Sequence, residues 1–218
     1  MKQVTKMSRA VGTIEGIYNS TNTDIWGGQL PQVIITVQSS PGSFGHSTVS
    51  RVWKRKEDDL FELNIAAEVL DYPIEELLDT MIHEQVHIYC RVNGISECSR
   101  HGTYHNKKFK ELAESHGLKC VYTGGTYGWN TTAADNDFLL EYALEKGYTE
   151  LQIARKSSRP VRIGGMAQPG GGRLVPGEKR PSSTRKLICP GGCGQTVRAT
   201  RRVNIICGNC LVPMIEAE

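Results

Sequence analysis

Apolar positions along the chain fall into helical and strand-like runs punctuated by glycine and proline. From Ile14 to Trp26 they recur at helical spacing until Gly27-Gly28 ends the run, which predicts a first helix. Val33 to Val37, just after Pro31, is a β-branched run that predicts a strand. Ser47 to Trp53 and Leu60 to Ile65 predict two more, the second with its alternation across Leu60, Glu62 and Asn64 obscured by apolar neighbours. Pro73 suits the first turn of a helix, and Ile74 to Val92 reads as one long helix closed by Gly94. Two further helices, His105 to His116 and Ala134 to Lys146, stop at Gly117 and Gly147, with Asp135 and Asp137 near the positive end of the latter. The predicted class is α+β with a small antiparallel sheet.

Composition narrows this picture. The chain has 218 residues, and at roughly 150 residues per domain that is one domain with an appendage. Hydrophobic and charged shares of 39% and 22% are globular values, which excludes whole-chain disorder, collagen and coiled coil. No apolar run approaches the roughly 20 residues of a membrane span, and Met1 to Lys6 opens no signal-like apolar region. A cytoplasmic protein without membrane contact is therefore expected. Around Arg155 to Arg185 the apolar pattern gives way to Ser157-Ser158-Arg159-Pro160, Gln168-Pro169-Gly170-Gly171-Gly172 and Pro181-Ser182-Ser183-Thr184. Such a stretch has little to bury and reads as a flexible linker. The expected division is residues 1–154, a linker 155–186, and a terminal module 187–218.

The net charge of +3 conceals a division along the same lines. Residues 1–154 hold 14 Lys+Arg against 20 Asp+Glu, the linker 9 against 1, and the terminal module 3 against 2. A basic arm beside an acidic domain suggests a phosphate-bearing partner.

Candidate chemistry stands on the long helix, in His83-Glu84-Gln85-Val86-His87. Histidines at i and i+4 share one helix face, so both imidazoles can reach one cation about 2.0–2.1 Å away with the glutamate beside them. The flanking Leu77, Leu78, Met81, Ile82, Val86 and Ile88 make the helix a buried one, and buried paired imidazoles need a partner, for which a metal is economical. A catalytic zinc takes three protein ligands and keeps a fourth position open. Candidates for the third are His46, His101, His105, His116 and Glu97. His105 shares a face with Phe109 and Leu112; His101, in a glycine-containing turn, suits facing the substrate or supporting a ligand from outside, as does Tyr104.

Glu76 to His87, followed by Ser99-Arg100-His101-Gly102-Thr103-Tyr104-His105-Asn106-Lys107-Lys108-Phe109, resembles the SprT-like metalloprotease family, which includes the Spartan proteases that cleave proteins crosslinked to DNA. Ile17-Tyr18-Asn19, Gly27-Gly28-Gln29-Leu30-Pro31 and Phe44-Gly45-His46 resemble its N-terminal half, so the likeness covers most of Val11 to Ala154. In that family the third ligand is a histidine four residues ahead of a phenylalanine, which implies His105. The resemblance further implies a zincin-like site, with Glu84 as general base, zinc at His83, His87 and His105, and protein substrates on DNA.

Cys189-Pro190-Gly191-Gly192-Cys193 and Cys207-Gly208-Asn209-Cys210 form two close pairs with a stretch between them, Thr196 to Ile206, that can supply two short strands. Two knuckles presenting four thiolates predict a zinc ribbon, a closed structural site; a segment this small has too little core to fold without metal. Cys90, Cys98 and Cys120 have no partner at ligand spacing and read as ordinary thiols. Arg198, Arg201 and Arg202 on the ribbon, next to the basic linker, are candidate phosphate contacts. The rival to a protease is a zinc-stabilised nucleic-acid or transcription adaptor that cuts nothing. Glu84 favours the enzyme, because a structural site has no use for a general base.

Overall fold

Helix α1 (Met7–Asp24) places Ala10, Ile14, Ile17, Tyr18 and Thr21 on one buried stripe. It begins two turns before the expected Ile14, because Ala10 is the only buried residue of those turns and small enough to leave little apolar signal. A computed structural model gives the protein's structure, describing residues 4–100, 102–156, 162–163, 166–167 and 185–217. The chain forms two units, Met1–Gly171 and Gly172–Glu218.

In the first unit the sheet has β1 (Val33–Gln38), β2 (Gly45–Ser47) and β4 (Asp59–Ala66) in the order β1-β4-β2, and β3 (Trp53–Lys54) pairs with the start of β4. The sheet is mixed and not antiparallel as expected: β1 runs parallel to β4, from Val33 opposite Phe61 to Gln38 opposite Ala66. The chain makes its β2–β3 excursion between those two strands, and that excursion supplies the crossover which a parallel pair needs. The single strand expected over Ser47 to Trp53 is likewise broken into β2 and β3, with exposed Val49 to Val52 between them. β4 lies between its neighbours and buries Leu60, Phe61, Leu63 and Ile65, so its two faces carry no clean alternation.

Helix α2 (Ile74–Val92) keeps the expected bounds. Glu75 and Glu76 in its first turn and Arg91 in its last complement its dipole. It is buried on most sides, against α1, β2, β4, α3 (Lys107–Ser115), α4 (Asp137–Lys146) and the hairpin of β7 (Lys119–Tyr122) and β8 (Trp129–Thr132). Gln85 is its one fully buried polar residue away from the histidines. Its Oε1 accepts from Trp26 Nε1 at 3.0 Å and its Nε2 donates to Thr21 Oγ1 at 2.8 Å and to the Tyr18 carbonyl at 3.2 Å. α3 starts two residues after His105, where the Asn106 side chain accepts from the amides of Lys108 and Phe109. α4 starts at Asp137 and ends in Gly147 at φ 69°.

Short strands escaped the pattern altogether: β5 (Cys98–Ser99) with β6 (Tyr104–His105), and the β7–β8 hairpin, whose strand Trp129–Thr132 is mostly polar. Within the expected linker, β9 (Arg162–Ile163) pairs with β10 (Met166–Ala167); its low-complexity runs lie outside the described residues. In the second unit β11 (Arg185–Ile188) is the centre of an antiparallel sheet between β12 (Thr196–Ala199) and β13 (Ile215–Glu216). Only one of the two strands expected between the cysteine pairs is there; the others come from outside both pairs, where Leu187 supplies the buried apolar side chain.

Replacing Gln85 by leucine strands the Trp26 N–H in the core, whereas the Thr21 hydroxyl keeps its bond to the Ile17 carbonyl at 2.8 Å. Gln85→Leu is expected to lose about 1–3 kcal/mol of stability, the cost of one buried donor left unpaired, read by urea denaturation.

Candidate metal centres

His83 and His87 stand one turn apart on α2, and β6 brings His105 against them. The three ring centroids form a nearly equilateral triangle with sides of 5.0, 4.9 and 5.0 Å. Phe109, one turn into α3, lies under them, stacked on His105 at 4.2 Å and an interplanar angle of 18°.

The outer nitrogens decide what the inner ones can do. His87 Nδ1 lies 3.0 Å from Glu97 Oε1, and His105 Nδ1 lies 2.8 Å from the Trp129 carbonyl. A carboxylate and a carbonyl only accept, so each Nδ1 carries the proton and each Nε2 presents a bare lone pair. His83 Nδ1 meets Thr131 Oγ1 at 3.0 Å. His83 Nε2 and His87 Nε2 are then 3.2 Å apart, close to the edge of about 3.3 Å between two nitrogens bound tetrahedrally to one zinc ion. One cation can bridge two nitrogens at that spacing, with the third imidazole in reach, so the donor set fits a metal. Burial lowers the pKa of His83 well below the ordinary imidazole value and that of His105 to about 4, keeping both neutral as ligation requires.

Glu84 faces the same space from the helix. Ser47 Oγ on β2 donates to Glu84 Oε2 at 2.7 Å and itself accepts from Arg91 Nη1 at 2.6 Å. One carboxylate oxygen is thereby held, and Glu84, His83 and His105 line a cavity of about 490 Å³ that Phe44, Asp79 and Tyr127 help to close. Burial would raise the Glu97 carboxyl, but the His87 hydrogen bond and its own backbone N–H hold it below the usual carboxylate range. Glu97 thus engages the outer nitrogen of His87, and His87 Nδ1, Glu97 and the Cys98 thiol also lie within reach of one another.

Several expected residues sit elsewhere. His46 is exposed on β2, and His116 is no ordinary surface residue: its ring stacks on Trp26 at 3.7 Å. His101 lies outside the described residues. Tyr104 packs beneath Arg100, 5.1 Å from its ring centroid, and against the hairpin glycine Gly128; Tyr127 occupies the cavity wall in its place. Gly128 has φ 73°, and a Cβ there would lie 2.2 Å from the His105 carbonyl oxygen. Only glycine lets the hairpin come this close to the histidine's backbone. Thr131, Asp79, Ser47 and Arg91 went unnoticed in the sequence, although Asp79, four residues before His83, shares its helix face.

In the second unit the thiols of Cys189, Cys193, Cys207 and Cys210 lie within 4.8 Å of one another and could hold a metal ion. Cys193 and Cys207 sulfurs are 3.4 Å apart. The backbone amides of Cys210 and Asn209 point at Cys207 and lower its pKa to about 7, favouring the thiolate. A Cβ on Gly191 would come 2.7 Å from Cys210 Cβ, so the longer first knuckle needs its glycine. Arg198, Arg201 and Arg202 are exposed, and among the described residues none of them ends on a carboxylate, whereas Arg185 pairs with Glu216.

The chain matches no protein-family model, no curated protein and no solved structure. No described helix is long and apolar enough to cross a membrane.

Elemental analysis of the purified chain is expected to give two divalent metal ions per molecule, one lost in His87→Ala and the other in Cys207→Ser. Gly128→Ala is expected to weaken the histidine-held ion by about tenfold in chelator competition, in the range of changes to a ligand's outer support.

Proposed function

We propose that the protein is a zinc-dependent metalloendopeptidase of SprT-like type, acting on proteins bound or crosslinked to DNA. The observation that carries this reading is the Glu84 carboxylate on the wall of a cavity that His83 and His105 also line, with His87 near enough for all three imidazoles to share one ion. His83, His87 and His105 would hold the zinc, leaving the cavity side open. Zinc bound there supplies a water acidified towards pKa about 7 and a Lewis acid for the scissile carbonyl.

Glu84 takes the proton of the attacking water and delivers it to the amine that leaves. Ser47 holds Oε2 of that carboxylate, so Oε1 is the oxygen available to the proton. Glu97 and the Trp129 carbonyl keep two imidazoles in the tautomer that ligation needs. The four cysteines would hold a second, structural zinc, and the exposed Arg198, Arg201 and Arg202 would meet phosphates near it. Substrates would then be chosen by proximity on the nucleic acid more than by peptide sequence.

Glu84→Gln is expected to keep both zinc ions while peptide hydrolysis falls by about 10²–10⁴-fold; undiminished hydrolysis by this variant would remove Glu84 as the general base, and an unaltered chain that binds zinc and cuts no peptide would point to the adaptor. Replacing Arg198, Arg201 and Arg202 together by alanine is expected to flatten the salt dependence of DNA binding, by a log–log slope of about 0.9 for each duplex phosphate no longer neutralised.

A further inference from the structure

Asp79 is the one described residue with a buried side-chain oxygen, Oδ1, that has no hydrogen-bond partner. It is 7% exposed, on the wall of the cavity and one helical turn before His83. Its other oxygen, Oδ2, accepts from Thr131 Oγ1 at 2.7 Å, and that same hydroxyl meets His83 Nδ1 at 3.0 Å. A hydroxyl has a single proton. With the proton given to an ionised Asp79, the Thr131 oxygen turns a lone pair to His83, and the contact is satisfied only if Nδ1 carries the imidazole proton. The bare nitrogen of His83 is then Nε2, which faces His87 Nε2. Reversed, with a protonated Asp79 donating to Thr131 and Thr131 donating to His83, the chain would put the proton on Nε2 and close the ligand position.

We propose that Thr131 and Asp79 are positioning residues for His83, a relay from hairpin to helix that fixes the imidazole's tautomer and orientation and thereby sets metal affinity. The inference rests on the reading of His83, His87 and His105 as a metal site. It completes a pattern: each of the three Nδ1 atoms is engaged, and β8 serves two of them, through the Thr131 side chain and the Trp129 carbonyl, without contributing a ligand. A metal ion also favours the ionised Asp79, the direction of the relay that exposes Nε2. Stability alone does not account for the arrangement. A buried carboxylate with an unpaired oxygen is costly, and a packing role would be better served by an apolar side chain.

The test measures zinc affinity of the full chain by chelator competition, the visible spectrum of the cobalt-loaded chain, and urea denaturation of the metal-free protein. Cobalt held by imidazoles is distinguished from cobalt at the cysteines, whose thiolates add near-ultraviolet charge-transfer bands. Thr131→Val is expected to weaken the histidine-held zinc by about 10–100-fold, as loss of outer support does, and to alter the visible cobalt bands, with Thr131→Ser restoring both. Asp79→Asn, whose amide can face either way, is expected to weaken zinc binding while leaving the metal-free protein as stable as the parent or more so. Unchanged zinc affinity in Thr131→Val, or an Asp79→Asn variant that loses stability but not affinity, would overturn the relay alone. An unaltered chain whose histidines take up no zinc would overturn the relay and the peptidase reading together.

Discussion

Three imidazoles gathered with a nitrogen of each within 4.8 Å of the others must keep their remaining nitrogens hydrogen-bonded, and most of the first unit is arranged around that constraint. α2 contributes His83 and His87 and is itself sunk among α1, α3, α4 and the sheet, which fixes the two rings without freedom to turn away. Phe109 closes the space beneath them. The outer nitrogens are tied to a carboxylate, a carbonyl and a hydroxyl. Each tie also satisfies a ring nitrogen that burial would otherwise leave unpaired.

The second unit meets an analogous constraint with fewer means. It has one buried apolar side chain in its central strand, Leu187, while Ile206 and Leu211 remain 65% and 78% exposed. With so small a core among the described residues, a metal ion at the four thiols would supply the cohesion, and the amides turned toward Cys207 would support its thiolate as Glu97 and Trp129 would support the imidazoles.

What could be read in advance follows from how local each feature is. α2 was legible to the residue because Pro73 and Gly94 punctuate an apolar helix. The two α2 histidines with Glu84, and the cysteine pairs, are short-range spacings. His105 was one of five candidates, favoured on the residues alone by the face it shares with Phe109 and Leu112 and implied as well by the family resemblance. The parallel pairing of β1 with β4 was hidden because it joins strands separated by the β2–β3 excursion. The Trp129 carbonyl leaves no mark in any side chain, and Thr131 matters only through the register of a polar strand that gave no signal of its own. Asp79 was the exception, legible from its i−4 relation to His83 yet noticed only once its partner was in place.

The distribution of the donors over the chain has a kinetic consequence. Two of them belong to a helix that can open only with the whole core, whereas the third hangs on β6 and is clamped by a hairpin bearing exposed Val121, Tyr122 and Tyr127. Peeling that hairpin away is a subglobal opening, far less costly than unfolding. An ion would leave in stages, its hold on His105 broken first while the helical pair retains it. Exchange with the surroundings would then follow the opening of the hairpin and not the stability of the whole fold.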